Sequence, residues 1–403
     1  MARVHPFAAY RPAQKLARDV AAPPYDVLST EEARELAKGN PYSFLRVDKA
    51  EIDLPAETSP YDAAVYGKAR ENLDGLIKDG VLVKDDSPCF YLYRQTLRGR
   101  SQTGLVACAE VAEYKSEIIK KHELTRTEKL QDRIAHIKSC SAHTGPIFLA
   151  YDSGNSYAKK IGLSQFTASN PEYDFISSDG VRHMVWAVNN KEVIKSIADA
   201  FESVPALYIA DGHHRCEAAA QSADYARIES TRFLSVIFPH DELTILDYNR
   251  IVRDLNGMTP ESFERRLGES FEVTPEAGPV KPEAPDEYGM YLNRGWRRLK
   301  SKKTRPDDVV DGLAVSVLQD EVLAKILNII NPQTDKRIDF VGGARGTAEL
   351  ERYVDEGQMA AAFTVCPTSM GDLLAVSNAG RIMPPKSTWF EPKLRCGLFV
   401  HRF

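Results

Sequence analysis

Short apolar stretches rich in β-branched and aromatic residues recur along this chain, and helix-forming segments lie between several of them. Such stretches, bounded by Gly, Pro and Asp, predict β-strands. They occupy residues 89–94, 104–111, 146–151, 184–188, 206–210 and 233–238. Alternation of strands with helices is typical of layered proteins, so we predict the α/β (α+β) fold class.

Polar residues at defined spacing mark the predicted helix starts. Ser29 precedes Glu32 by three residues, a capping box that predicts a helix directly after it. Residues 61–78 predict a second helix. Thr125 and Glu128 have the same spacing as the first pair and predict a further helix start.

The length of 403 residues exceeds what one hydrophobic core normally supports. We therefore expect an N-terminal α/β region over residues 1–104, a core domain over residues 105–255 and a C-terminal α/β domain over residues 256–403. The proline-rich segment 275–285 predicts a turn or exposed loop within the last of these.

Charge and cysteine content limit the classes of protein to which this chain could belong. The chain has 52 Lys and Arg against 57 Asp and Glu, interspersed, so its net charge of −5 does not indicate nucleic-acid binding. The apolar runs are shorter than the roughly 20 residues that cross a bilayer, and the N-terminus lacks a signal peptide pattern. The six cysteines are scattered and predict reduced thiols. We therefore expect a cytoplasmic protein without a membrane span.

The stretch ALYIADGHHRCEAAA, residues 206–220, predicts a strand that passes directly into a helix. Unpaired N–H groups at a helix start attract anions, and Arg215 offers donors suited to phosphate. Asp211 could hold a divalent cation, and a neutral histidine can take or give a proton. The combination predicts a site for phosphate and metal. The alternative is that Asp211 caps the helix while the histidines pack or face solvent.

A zinc site is the other interpretation of the paired histidines. Adjacent residues on a helix point about 100° apart and rarely chelate one ion, and no H-E-x-x-H spacing is present. The sequence therefore does not favour zinc.

Four further stretches could carry chemistry. In 122–126, a glutamate between a histidine and a capped helix could act as a general base, or it could belong to a solvated charged face. Residues 339–347 predict a strand, a glycine turn and a helix without a dinucleotide or P-loop pattern, which favours a plain tight turn. Residues 383–393 and 22–27 are rigid and proline-rich, and either could line a cleft or be packed loops.

Several of these stretches together resemble a known family. The chain contains AAPPYDV, NPYSFLRV, EIDLP, KKHE, ADGHHR, LDYNR, DFVGG and MPPKSTWFEPK in this order. On these stretches it is similar, nearly end to end, to the bacterial family known as domain of unknown function 1015.

The turn also resembles that of the ParB-like and sulfiredoxin-like superfamily, and within it the free-serine kinases, over residues 105–255. This resemblance implies a ParB-like nucleotide-binding core. It implies that Asp211 has a metal-binding or activating catalytic role, that Gly212 and Arg215 contact nucleotide phosphate, and that His213 and His214 contact phosphate or move protons, with His214 catalytic.

The same resemblance implies an upstream catalytic glutamate, for which Glu123 is the match, although the separation from Glu123 to the turn is longer here than in those kinases. We assign His122, Arg126 and Lys386 as candidate substrate-binding residues.

The leading hypothesis is therefore a Mg²⁺-dependent kinase that uses ATP or ADP to phosphorylate a small hydroxyl-bearing metabolite, with free L-serine as acceptor. The expected partners are the nucleotide and that metabolite, without nucleic acid or membrane, and a homodimer is the assembly to test. One alternative is a ParB-like regulatory protein that binds CTP or ATP and associates with DNA. Another is a metal-dependent hydrolase, for which the acidic cluster of a two-metal site is missing from the sequence.

Overall fold

The computed structural model describes residues 1–154, 163–224 and 226–403. The chain forms two compact units. The first consists of Met1–Lys121, Thr125–Leu243 and Pro392–Phe403, and the second of His122–Leu124 and Thr244–Glu391. Each unit is therefore built from separate pieces of sequence.

The described residues contain 21 β-strands, numbered here in chain order. They are β1 (Val4–His5), β2 (Tyr10–Pro12), β3 (Leu82–Lys84), β4 (Phe90–Leu97), β5 (Arg100–Glu110), β6 (Ile119–Lys120), β7 (Ala142–His143), β8 (Ile147–Tyr151), β9 (Tyr173–Ile176), β10 (Arg182–Val188), β11 (Leu207–Asp211), β12 (Arg232–Pro239), β13 (Ile245–Leu246), β14 (Tyr248–Val252), β15 (Phe271–Glu276), β16 (Glu287–Leu292), β17 (Gly295–Ser301), β18 (Ile338–Gly342), β19 (Ala361–Val365), β20 (Trp389–Phe390) and β21 (His401–Arg402).

The same residues contain twelve α-helices. They are α1 (Ala17–Val20), α2 (Thr30–Ala37), α3 (Leu45–Asp48), α4 (Ala63–Lys78), α5 (Val111–Lys115), α6 (Thr127–Cys140), α7 (Lys191–Phe201), α8 (His213–Ser222), α9 (Pro260–Leu267), α10 (Ala314–Leu318), α11 (Thr347–Asp355) and α12 (Met370–Asn378). A π-helical segment covers Gln319–Ala324. None of the helices in the described part of the chain is long and apolar enough to cross a membrane.

The main sheet of the first unit has nine strands among the described residues, in the order β6-β11-β8-β12-β5-β4-β10-β9, with β1 paired to β5. Strand β11 is parallel to β6 and antiparallel to β8, whereas β12 is parallel to β8. The sheet thus contains both parallel and antiparallel strand pairs, and helices alternate with its strands along the chain. The predicted α/β (α+β) class is confirmed, and the ParB-like assignment of the core stays a prediction.

The central strands are continuous apolar runs in the sequence because both faces of each strand are buried. In β5, Leu105 and Ala107 belong to a hydrophobic core that Phe233 and Ile237 of β12 also enter. The intervening residues, such as Val106, are buried as well. A strand that is covered on both sides lacks polar alternation. The six predicted strands are all present, as β4, β5, β8, β10, β11 and β12.

Two of the three predicted helix starts are confirmed, and one is wrong. Ser29 and Glu32 form both hydrogen bonds of a capping box at α2, and the helix predicted over 61–78 is α4. The start predicted from Thr125 and Glu128 is shifted, because the N-cap residue of α6 is Arg126 and no side chain caps this helix. Glu128 is consequently the second helical residue, one position too early to complete a capping box.

The second unit has a six-stranded sheet in the order β15-β17-β16-β19-β14-β18. Its hydrophobic core includes Ile251, Trp296 and Leu350. The predicted strand, glycine turn and helix over 339–347 are confirmed by β18 and α11, with Gly346 in the left-handed region at φ 74° between them.

Strand β5 crosses the position at which we placed the first domain boundary, between residues 104 and 105. Its two ends pair with different strands, since residues 100–106 face β4 and residues 105–110 face β12. The structure has two compact units. The division of the chain into three domains stays a prediction.

Candidate functional site

The predicted strand-to-helix turn is present in the first unit. Strand β11 ends at Asp211, Gly212 has φ 91°, and α8 begins at His213. The left-handed conformation at Gly212 lets the chain reverse direction within one residue, which is inexpensive only for glycine. The N-terminus of α8 therefore opens directly at the end of a sheet strand.

A bulge sets the direction of the Asp211 side chain. In a regular strand, residues two apart share a face, so Asp211 would follow Ile209 into the hydrophobic core. The register of β11 against β8 shifts between these two residues, because Ile209 pairs with Leu149 and Asp211 with Phe148. The shift frees the carboxylate from the core, and bulges often redirect side chains beside active sites.

The Asp211 carboxylate lies between two cations. The ammonium of Lys393 donates to its Oδ2 at 3.2 Å, and a guanidinium nitrogen of Arg215 lies 3.8 Å from the same atom. Its Oδ1 accepts the N–H of Gly212 at 3.0 Å. A metal ion at Oδ2 would compete with Lys393, so the carboxylate can serve a metal only when the ammonium shifts.

Arg215 is held beneath the turn. One of its terminal nitrogens donates to the carbonyl of Pro146 at 2.5 Å, while its buried Nε has no hydrogen-bond partner among the described residues. A Cβ on Gly212 would lie 2.9 Å from that Nε. Burial alone lowers the pKa of Arg215, but the charges of Asp26 and Asp211 outweigh it and raise the pKa. The guanidinium is therefore a fixed cation.

The start of a second helix lies beside the turn. The backbone N–H of Arg126, the N-cap residue of α6, donates to Nε2 of His214 at 2.9 Å. Farther along, Leu130 and Ile134 of α6 pack against Ala218 of α8. Because Nε2 accepts this bond, a neutral His214 carries its proton on Nδ1. Two helix N-termini therefore meet at His214, and each favours negative charge.

The other predicted site residues lie in the second unit. The carbonyl of His122 accepts the N–H of Met383 at 2.8 Å, and the His122 Nε2 lies 3.2 Å from the hydroxyl of Thr388. Lys386 has φ 59°, and its Nζ lies 5.4 Å from the centre of the Tyr248 ring. Glu123 is half-buried. His122 and Lys386 thus belong to one neighbourhood, around residues 383–390.

Lys393 is the site residue that the sequence analysis missed. It lies 182 positions from Asp211 in the chain. It lies in the same proline-rich stretch as Lys386, and the composition of that stretch does not indicate which of the two lysines belongs to the site. The structure brings Asp211, Arg215 and Lys393 together in the first unit.

This arrangement suits an anion. Fixed cations, a glycine and the N–H groups of a helix start are the elements of phosphate sites. The fold and the turn define a mixed α/β protein with a candidate phosphate site.

The chain belongs to the DUF1015 family, described as a protein of unknown function, which matches residues 4–322. No curated protein matches the chain at a significant level.

Three solved structures illustrate what the fold is similar to. A free serine kinase variant in complex with AMP has 14% sequence identity and a TM-score of 0.38, over 71% of this chain and 87% of that one. A free serine kinase variant in complex with ADP has 15% identity and a TM-score of 0.37, over 71% and 87%. C-terminally truncated SbnI from Staphylococcus aureus has 14% identity and a TM-score of 0.41, over 73% and 87%.

Proposed function

We propose that this protein is a small-molecule kinase that transfers a phosphoryl group from ATP or ADP to a hydroxyl group, with free L-serine as the acceptor. The observation that carries the proposal is the turn at Gly212, where the fixed guanidinium of Arg215 and the ammonium of Lys393 flank the start of α8. The resemblance of ADGHHR and KKHE to the free-serine kinases supports it.

The residues of the turn have distinct proposed roles. The N–H groups at His213 and His214 and the guanidinium of Arg215 bind the phosphates of the nucleotide, and Gly212, which has no Cβ, leaves room for the Arg215 side chain. The carboxylate of Asp211 is the proposed ligand of Mg²⁺, with which Lys393 competes. Bound Mg²⁺ would neutralise charge on the transferred group.

The proposed base is Glu123, whose carboxylate accepts the proton of the serine hydroxyl. The hydroxyl oxygen forms a bond to the terminal phosphorus, and the bond from that phosphorus to the bridging oxygen breaks. ATP then leaves as ADP, or ADP as AMP, and the product is phosphoserine. Positioning and charge neutralisation supply most of the catalysis in such a transfer. His122, Arg126 and Lys386 are the proposed contacts to the acceptor.

Serine-dependent release of ADP from ATP tests this function. We expect Glu123→Gln to lower kcat by about 10²-fold or more, as loss of a general base does, and Asp211→Asn to abolish turnover. Arg215→Lys keeps the charge but removes the fork of donors, so we expect a raised KM for nucleotide.

Arg182→Lys is the matched control, since Arg182 is half-exposed on β10 and pairs with Asp174. Full activity in both Asp211→Asn and Glu123→Gln would contradict the proposal. Nucleotide binding without serine-dependent turnover would favour the regulatory alternative instead.

A further inference from the structure

A cleft with a cavity volume of about 200 Å³ lies in the first unit, outside the turn at Gly212. Its walls come from the AAPPYDV stretch, from the segment after α3, from the start of α4 and from one face of α6. The proposed roles leave all of these residues unused. Tyr25 and Asp26 of the AAPPYDV stretch, which the sequence left as either a cleft wall or a packed loop, therefore line a cavity.

Charged side chains of both signs line this cleft. The cations are Lys49, Lys129 and Arg133, and the carboxylates are Asp26, Asp48, Glu51 and Asp132. Several of them are deeply buried, with Asp48 5%, Glu51 4%, Asp132 7% and Arg133 8% exposed. Burying charge is costly, and pairing offsets part of that cost, since Lys49 lies 2.9 Å from Glu51 and Arg133 lies 2.8 Å from Asp132.

The charges form pairs around aromatic rings. Arg133 donates to Asp132 at 2.8 Å and lies 3.9 Å above the ring of Tyr25. The hydroxyl of Tyr66 donates to Asp132 at 3.1 Å. Carboxylates beside tyrosine rings suit an ammonium group, and a guanidinium suits a carboxylate. The wall therefore offers complementary partners for both charged ends of one small molecule.

The balance of charge argues against a phosphate-rich ligand in this cleft. Three cations face four carboxylates. His136, which also lines the cleft, adds no positive charge at neutral pH, because burial lowers its pKa. A nucleotide, with several negative charges, would meet a net negative wall here. The cleft thus disfavours a ligand with several negative charges, whereas the turn favours one.

A smaller cavity borders both this cleft and the turn. It is lined by Tyr25, Asp48 and Arg133, which also line the cleft, and by Arg215 of the turn. His143 lines it too, and its buried Nε2 has no hydrogen-bond partner within the described parts of the chain. The cleft and the guanidinium that we assign to phosphate are therefore neighbours in the first unit.

We propose that this cleft binds a small α-amino acid as its zwitterion, apart from His122, Arg126 and Lys386, which are the proposed contacts to the acceptor in the transfer. The binding of the amino acid here does not rest on the proposed kinase function. The carboxylates and tyrosine rings receive the ammonium group, and Arg133 with the lysines receives the carboxylate.

Calorimetric titration of the full-length chain, with and without AMP, tests the proposal. The probes are L-serine, L-glycerate, which has a hydroxyl in place of the ammonium group, and ethanolamine, which lacks the carboxylate. We expect L-serine to bind at least tenfold more tightly than either analogue. Equal affinity for all three, or no L-serine binding in either condition, would overturn the proposal.

Substitutions locate the binding in the cleft. We expect Asp132→Asn to weaken L-serine binding at least tenfold while the affinity for ADP stays within twofold. Asp174→Asn is the matched control, since this carboxylate pairs with Arg182 on the surface of β9 and β10. If Asp132→Asn does not fold, Tyr61→Ala replaces it, because Tyr61 is 44% exposed at the cleft. We expect at least threefold weaker L-serine binding there. Unchanged L-serine affinity in the folded variant would overturn the proposal.

The two proposals fail differently. Absence of ADP binding would contradict the kinase function and leave L-serine binding in the cleft supported. Serine-dependent turnover together with unchanged L-serine affinity in Asp132→Asn would overturn the cleft site alone.

Discussion

Gly212 is the residue at which one added methyl group would act on both backbone and site. We expect Gly212→Ala to cost about 1–2 kcal/mol for the left-handed conformation. It should also weaken ADP binding at least tenfold, because the new Cβ would lie 2.9 Å from Nε of Arg215. Gly180→Ala is the control, since Gly180 has φ 81° but no described atom within 4 Å of the added Cβ. Thermal unfolding and ADP titration measure the two effects. Equal ADP affinities in both variants would exclude a role for this close approach.

The residues of the turn show what a local pattern can reveal. Asp211 and Arg215 were predicted because a strand, a glycine and a helix start follow one another within a few positions. Lys393 was not predicted, since its contact with Asp211 depends on residues 182 positions apart meeting in the fold. The bulge after Ile209 was also missed, because it is a property of strand pairing and has no local signal.

At the scale of single elements, two predicted helix caps provide a direct comparison. Ser29 accepts the N–H of Glu32 at 3.1 Å, and we expect Ser29→Ala to lower the free energy of unfolding by about 1 kcal/mol. Thr125 precedes the N-cap residue of α6 and caps nothing, so we expect Thr125→Ala to cost less than about 0.5 kcal/mol. Denaturant unfolding of both variants measures the difference, and a larger loss for Thr125→Ala would contradict the position of the helix start.

The longer apolar strands of the first unit were predictable, whereas the shortest strands and most strands of the second unit were not. Strands of five or more residues such as β4, β5 and β12 have apolar runs that stand out from their surroundings. Two-residue strands such as β6 and β21 contain too few positions for any periodicity, and pairing with a distant partner alone creates them. The order of strands in a sheet is set by the same tertiary contacts, so the sequence indicated the class of fold but not its topology.

At the scale of the whole molecule, buried histidines make stability depend on pH. Burial, with the charge of Arg395, lowers the pKa of His183 to about 3, and burial, with His401, lowers that of His143 to about 3. An unfolded histidine has a pKa of about 6.5. Between these values only the unfolded chain binds the proton, so stability falls as the pH decreases from 6.5 toward 3 and is unaffected above 6.5.

We therefore expect His183→Gln to reduce the dependence of unfolding free energy on pH by about 1.4 kcal/mol per pH unit between pH 5 and 6. Adding His143→Gln should reduce it by about the same amount again. Denaturant unfolding at several pH values in this range provides the measurement. An unchanged slope in the double variant would show that these histidines are protonated in the folded state.

The segment Pro392–Phe403 belongs to the first unit although it is synthesised after the whole of Thr244–Glu391. It supplies the partner of β7, through His401 and His143, and it supplies Lys393. At roughly 5–20 residues per second on the ribosome, on the order of ten seconds separate the earlier pieces from this one. During that interval β7 is without its partner strand, and Asp211 is without its ammonium partner. The first unit can therefore be completed only after Pro392–Phe403 has left the ribosome.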